Sequence, residues 1–469
     1  MTSRALPRLG GVLGAIAGAC VLAELVTTSP RSALYLVVGV AAFIVVFRSL
    51  LAGVALFVVL TFPETLPGSL GVGPTLAKPL GLVLFASWLF LILSDRDHVV
   101  PFLPRDAPLL TAALIALLVW ATASIAWAVD RAATLHSVSR LAQLVGLVFV
   151  TYSAVCRKRD LLVLISALLV GGAITSAYAL ANGTVANGRL TASLFNPNAL
   201  ATEVVAAMAI AGFMLLATRR VSVRAGLLIL LGLFSVVLAQ TQSRSGILAL
   251  AAAALCAIMV AGPLRGRITA MLLIAGAFSV GYYFFAAPAQ LRERIASIGA
   301  GTSQSSPGRA DTWQIALHMS GDHPIAGVGL GNFPARELEY VTETLNLVDI
   351  TSVRRYRLVV HNSYLEFLAE LGIVGLTLFL GVLWLTVGRL ATVVLRRGRD
   401  GGMTLLLGRA LTTASAAVLT TQIFGSGEYS KQLWLLLGMS AAAASLAARP
   451  RAEAAAVRRM RPRLASTAV

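Results

Sequence analysis

With 469 residues, 58% hydrophobic and 12% charged, and a mean hydropathy of +0.84, the chain carries too little charge to cover a soluble fold of its size. It reads as an integral membrane protein. Its formal charge of +18 argues for no nucleic-acid partner, because Lys and Arg cluster beside apolar runs, where they set topology and meet anionic lipid.

A membrane span needs about 20 apolar residues. In chain order the candidates are 10–28, 33–47, 49–62, 76–94, 107–128, 139–156, 161–181, 198–217, 224–241, 245–262, 268–287, 364–388, 403–424 and 431–448. The expected fold class is all-α, a polytopic transmembrane helical bundle of about 12–14 spans with one large extracytoplasmic loop, 288–361. Residues 1–181 hold the N-terminal spans, 182–375 the core with that loop, and 376–448 the C-terminal spans; 449–469 is expected to be a disordered basic tail.

Basic residues stay on the cytoplasmic side of short loops. A hairpin turning at Arg48, between the short second and third candidates, puts every main basic cluster inside, from Arg4 and Arg8 through Arg157-Lys158-Arg159 to Arg449–Arg463, with both termini cytoplasmic. Merging 33–62 into one helix sends Arg4 and Arg8 outside. The first apolar run is longer than a signal core and is expected to be retained. Cys20, Cys156 and Cys256 fall in apolar runs and read as packing residues, with no disulfide framework or metal site.

Four sites break the inside rule: Arg189, Arg244, Arg309 and the trio Arg354, Arg355 and Arg357 all fall on the outer side. An arginine held there against the topogenic bias calls for an anionic partner, and a guanidinium forks onto phosphate oxygens. Arg189 precedes Phe195-Asn196-Pro197-Asn198, where the asparagines are either ligands or a helix cap. Gln242-Ser243-Arg244-Ser245-Gly246 is a tight link whose serines can cap the next helix, leaving its amides beside Arg244 as a phosphate cradle; the bland alternative is an arginine snorkelling to headgroups.

In the large loop, Ser306-Pro307-Gly308 precedes a helix from about Arg309 to Met319, with Arg309, Trp313 and Leu317 on one face, suited to lie on the membrane. The glycines at 327, 329 and 331 lack nucleotide-loop context and read as a packing turn with amides open to an anion. At the loop's end, Asn362 or Ser363 caps the next helix and leaves His361 just outside its positive end, where protonation is disfavoured. A neutral imidazole there can take a proton from a hydroxyl. Glu366 and Glu370, one turn apart, orient arginines or an acceptor, or pair with basic loop residues.

The succession Gly188-Arg189…Asn196-Pro197-Asn198, Gln242-Ser243-Arg244-Ser245-Gly246, Gly308-Arg309-Ala310-Asp311-Thr312-Trp313, Pro324 to Phe333, and His361-Asn362-Ser363-Tyr364-Leu365-Glu366 resembles the O-antigen ligase and O-antigen polymerase superfamily. The resemblance covers about 182–375. It implies an all-helical glycosyltransferase, like those of the GT-C type, that passes a glycan from a polyprenyl diphosphate carrier to a hydroxyl outside the cytoplasmic membrane. By the same resemblance Arg244 and Arg309 bind the diphosphate, His361 activates the acceptor, and Arg189 matches a further family arginine.

The catalytic candidates are thus His361, Arg244 and Arg309. The substrate-binding candidates are Arg189, Asn196, Asn198, Ser243, Asn362 and Glu366, and no metal or cofactor is expected. The expected partners are the polyprenyl diphosphate-linked glycan, a hydroxyl-bearing glycan, lipid or protein acceptor, and membrane lipids. The rival from another class is a lipid-linked glycan transporter lined by Glu24, Gln143 and Glu203; no internal repeat supports it. Nothing in the sequence separates ligase from polymerase or protein glycosylation.

Overall fold

The computed structural model describes residues 46, 49–61, 77–95, 100–186, 189–191, 197–285, 287, 289, 292–293, 309–344, 359–397 and 402–465. The first candidate span, Arg48, Asn196, Ser306-Pro307-Gly308 and the arginines at 354, 355 and 357 lie outside these residues.

The main described helices, of twelve residues or more, are α1 (Leu50–Thr61), α2 (Ala77–Ser94), α3 (Pro108–Ala123), α4 (Arg131–Ala154), α5 (Lys158–Asn182), α6 (Pro197–Ala217), α7 (Val221–Thr241), α8 (Arg244–Val260), α9 (Arg265–Phe285), α10 (Arg309–Asp322), α11 (Phe333–Thr344), α12 (Ser363–Leu383), α13 (Met403–Thr421) and α14 (Lys431–Ala465). Among the described residues eight helices are long and apolar enough to cross a membrane, and α1, part of α2 and α8 are shorter apolar helices. The protein is an all-α polytopic membrane protein. Among the described residues the one sheet is a two-stranded antiparallel hairpin, β1 (Thr184–Ala186) with β2 (Arg189–Thr191).

Local chemistry sets the helix ends. Asp130 caps α4 by accepting from the Ala133 N–H at 2.9 Å, so α4 starts eight residues before the expected 139, at Arg131. The Asp160 carboxylate accepts from the Cys156 and Arg157 amides at the start of α5. That fixes Cys156 in an exposed link, and the packing role expected for it does not hold. Val46 packs on Gly53, whose Cβ would lie 3.1 Å from the Val46 Cα. Seven residues of straight helix would separate them by about 10 Å, so the chain reverses between them.

The core is centred on α13, which packs against α6 and α8. Its window is 72% buried against 6% for the α9 segment, which is peripheral. Arg409, in α13, is 1% exposed, a charged side chain inside the helix bundle that the sequence analysis did not single out. The helix α14 continues to Ala465, through the stretch expected to be disordered. Its abundant Ala and Arg are strong helix formers.

The segment between α9 and α12 has a small core of its own, formed by Ile315, Ala316 and Met319 of α10, Val328, Phe333, Tyr340, Val341, Val360 and Ala369. Thus α10 buries its Thr312, Ile315, Ala316 and Met319 face and leaves Leu317 50% exposed. What holds this unit to the bundle is a break in α12 at Gly372 (φ 66°, ψ −168°). The break frees carbonyls that a straight helix would use itself. Ala369 O accepts from Val328 N–H at 3.0 Å, Glu370 O from Gly329 N–H at 2.8 Å, and Leu371 O from Trp120 Nε1 at 2.9 Å.

The Glu370 carboxylate completes the dock, with Oε2 accepting from Gly331 N–H at 2.7 Å and Oε1 from Phe333 N–H at 3.1 Å. Gly327, Gly329 and Gly331 all have positive φ, and a Cβ at Gly327 would overlap the Glu370 backbone. The amides of Gly329, Gly331 and Phe333 are therefore spent on Glu370 and are not open to an anion, contrary to the sequence reading. Asn332, fully buried, hooks the turn to the start of α4 by accepting from Asp130 N–H at 2.7 Å and donating to Thr134 Oγ1 at 2.6 Å.

Candidate active site

The first wall of the site is the meeting of β2, α6 and α8. Arg189 donates from Nε to Thr241 O at 3.0 Å and from Nη2 to Asn198 Oδ1 at 2.9 Å. Asn198 Oδ1 also receives the Ser243 hydroxyl at 2.7 Å. Asn198 is therefore a bridge between Arg189 and the α8 turn, a role its sequence position did not separate from capping. Ser243 caps α8 by accepting from Gly246 N–H at 3.1 Å. Its single proton goes to Asn198, so the 3.0 Å contact with Ser245 Oγ is donated by Ser245.

This turn is held tightly. Gln242 has φ 46°, and a Cβ at Gly246 would come within 2.8 Å of Ala201 Cβ. Arg244 follows as the first residue of α8, where unpaired amides add partial positive charge.

Arg309, half-buried at the start of α10, has its pKa lowered by burial and then by the charge of Arg244. His361 has its pKa lowered by burial and then by Arg309. Two guanidinium groups and an imidazole are thus close enough to act on one another, although they come from three separate elements. The imidazole is held neutral, as the sequence suggested, but by burial and Arg309 where the sequence reading invoked the helix end.

His361 is the second non-glycine residue with positive φ (54°) among the described residues. Like Gln242, it precedes a helix cap: Asn362 Oδ1 accepts from Tyr364 N–H at 3.0 Å and Leu365 N–H at 3.2 Å. The side-chain oxygen of Asn362 is thus engaged in capping. A non-glycine residue in this region costs about 1–2 kcal/mol, which surrounding bonds must outweigh.

Those bonds come from the turn between α13 and α14. Ser426 Oγ accepts from His361 N–H at 3.1 Å and donates to Glu366 Oε2. Ser363 N–H donates to Gln422 O at 2.9 Å. Ser363 Oγ accepts from Gly427 N–H at 2.9 Å and lies 2.8 Å from both Gln422 Oε1 and Glu428 Oε2. Burial raises the Glu428 carboxyl above its ordinary range. Arg140 bears on Glu366 and Glu428, and its guanidinium lies 4.2 Å over the Tyr429 ring.

The α13–α14 turn, Arg140 and the Trp313–Phe424 pair (centroids 6.3 Å apart) were not singled out from sequence. The signals were present: a serine, two glycines and an acid in a link between apolar runs, and an arginine inside a span. Glu366 reaches no arginine side chain by a hydrogen bond among the described residues; its partner is Ser426.

Residues 206–380 match the family model described as O-antigen ligase. The matched stretch includes Arg244, Arg309, His361 and Glu370, with Arg189 and Asn198 just before it and the α13–α14 turn after it. Comparison with curated proteins gave no match. Over residues 206–380 the protein, a multi-pass helical membrane protein, is thus similar to the O-antigen ligase family.

Proposed function

We propose that the protein is a glycosyltransferase of the bacterial cytoplasmic membrane that moves a glycan from a polyprenyl diphosphate carrier to an acceptor hydroxyl at the extracytoplasmic face, in cell-surface polysaccharide assembly. The observation that supports this reading is the approach of Arg244 to Arg309 and of Arg309 to His361, whose pKa burial and Arg309 lower. Two arginines at helix starts suit a diphosphate; a neutral imidazole beside them suits deprotonation of a hydroxyl.

In the reaction His361 takes the acceptor proton while the acceptor oxygen bonds to the anomeric carbon. The bond from that carbon to the carrier phosphate oxygen breaks, and its electron pair leaves on the diphosphate. Arg244 and Arg309 neutralise the growing charge, with Arg189 holding the α8 turn beside them. Attack opposite the leaving group inverts the anomeric centre. The guanidinium groups supply the neutralisation, so the reaction is proposed to need no metal; full activity of purified components in EDTA is expected, and strict metal dependence would refute that part.

Arg244→Ala and His361→Ala should each abolish glycan transfer while the protein remains in the membrane. Wild-type product from both variants would sink the assignment. A deletion strain separates the acceptors: accumulated finished carrier-linked polymer indicates a ligase, shortened chains a polymerase, and loss of glycoprotein alone a protein oligosaccharyltransferase.

A further inference from the structure

We infer that the turn between α13 and α14 is a positioning clamp for His361, acting through Ser426 and Glu366, and that Glu366 serves as a hydrogen-bond acceptor within it and does not touch substrate. This rests on the proposal that His361 is the base.

The first observation is where His361 is held. Its backbone N–H is fixed by Ser426 Oγ at 3.1 Å, while among the described residues its imidazole makes no hydrogen bond. Among the described residues, then, the grip is on the backbone and not on the ring. In many catalytic sites a third group orients the base through its ring; here the grip is on the main chain, at a residue whose positive φ (54°) would relax without it.

The second observation is the direction of the hydrogen-bond chain. Ser426 Oγ accepts from the His361 backbone N–H and donates to Glu366 Oε2. Glu366 lies one helical turn after Asn362, whose Oδ1 caps the same helix. The clamp therefore closes a ring through α12 itself: cap, carboxylate, serine, histidine. Next to it, Ser363 binds Gln422, Gly427 and Glu428. Three consecutive residues of the loop end are thus fixed, two of them by one turn from the far end of the sequence. A carboxylate committed to Ser426 is poorly placed to bind an arriving sugar hydroxyl, which sets this reading against Glu366 as an acceptor ligand.

The test uses the full-length protein in lipid nanodiscs. The substrates are the carrier-linked glycan fraction and the envelope glycolipid fraction extracted from a deletion strain, each varied in concentration. Displacing a catalytic group by about 1 Å costs roughly 10²-fold. Ser426→Ala and Glu366→Ala should each lower kcat by about that factor, with KM for both fractions within about twofold of wild type.

Ser426→Thr and Glu366→Gln, which keep the hydroxyl and an acceptor oxygen, should retain most of kcat. The Ser426→Ala/Glu366→Ala double variant should lose no more than the worse single one, because both sit in one chain. The inference is overturned by wild-type kcat in both alanine variants, by a raised KM at unchanged kcat, by additive losses, or by Glu366→Gln falling as low as Glu366→Ala. His361→Ala is measured alongside. If it stays active, the proposed base itself is wrong; if it is dead while Ser426→Ala is normal, only the clamp fails.

Discussion

Glu370→Ala removes the carboxylate that holds the glycine turn, with consequences that follow from two hydrogen bonds. Glu370 is 3% exposed, and its oxygens accept from Gly331 N–H at 2.7 Å and Phe333 N–H at 3.1 Å. Alanine leaves both amides without an acceptor. A buried donor left unpaired costs about 1–3 kcal/mol, so the variant should lose about 2–6 kcal/mol. Glutamine offers one acceptor oxygen and turns an NH2 group toward the second amide, so Glu370→Gln should lose about 1–3 kcal/mol.

The damage should be local at first. The turn docks the small core shared by α10, α11 and α12, and Arg309 stands at the start of α10. Thermal unfolding in nanodiscs gives the ranking, and protease cleavage between 309 and 344 reports release of the loop unit. Wild type should resist both best, glutamine next, alanine least. An unfolding midpoint unchanged in Glu370→Ala, or Glu370→Gln falling as far as alanine, would refute the reasoning, because the loss would then not follow the number of acceptors.

Three further outcomes are expected. Because burial and Arg309 both lower the His361 pKa and the base must be neutral, kcat/KM should rise with pH through a limb below the ordinary histidine value of about 6.5. Arg309→Gln should move that limb upward in the residual activity, and a wild-type limb at or above the ordinary value would contradict the geometry. Arg189→Lys keeps the charge but cannot fork onto both Thr241 O and Asn198 Oδ1, so the donor KM should rise by roughly tenfold, about 1.4 kcal/mol; an unchanged KM would show that the fork is dispensable. Gly372→Ala should destabilise by at least about 1–3 kcal/mol from its backbone angles alone, with added overlap on the Ile325 carbonyl. Gly226→Ala, in α7 with open space at its Cβ, should be neutral or stabilising by up to about 1 kcal/mol; equal losses in the two would count against the kink.

Much of the bundle was legible because a span is a matter of length and hydropathy, and the expected runs from 161–181 to 245–262 fall within a few residues of α5 to α8. The start of α4 was missed because its first two turns are polar on average; the Asp130 cap, a local signal, marks it. Glu366 and Glu370 show why the site was only partly readable. One turn apart, they look alike in sequence, yet the first meets Ser426 and the second meets Gly331 and Phe333. The glycine run read correctly as a packing turn, but not as one whose amides are already taken.

What the sequence by itself determined was the class of protein and the residues that offend against it. Apolar length dictates spans, and Arg189, Arg244 and Arg309 stand out because, on the expected topology, they break a charge bias that acts along the chain. Only the tertiary structure decided which of those residues meet. Arg244, Arg309 and His361 are far apart in sequence, and the effect of Arg244 on Arg309 and of Arg309 on His361 depends on distance and burial, which no local pattern encodes. The same holds for the α13–α14 turn: a serine in a short link acquires a role only when packing brings it to the backbone of His361.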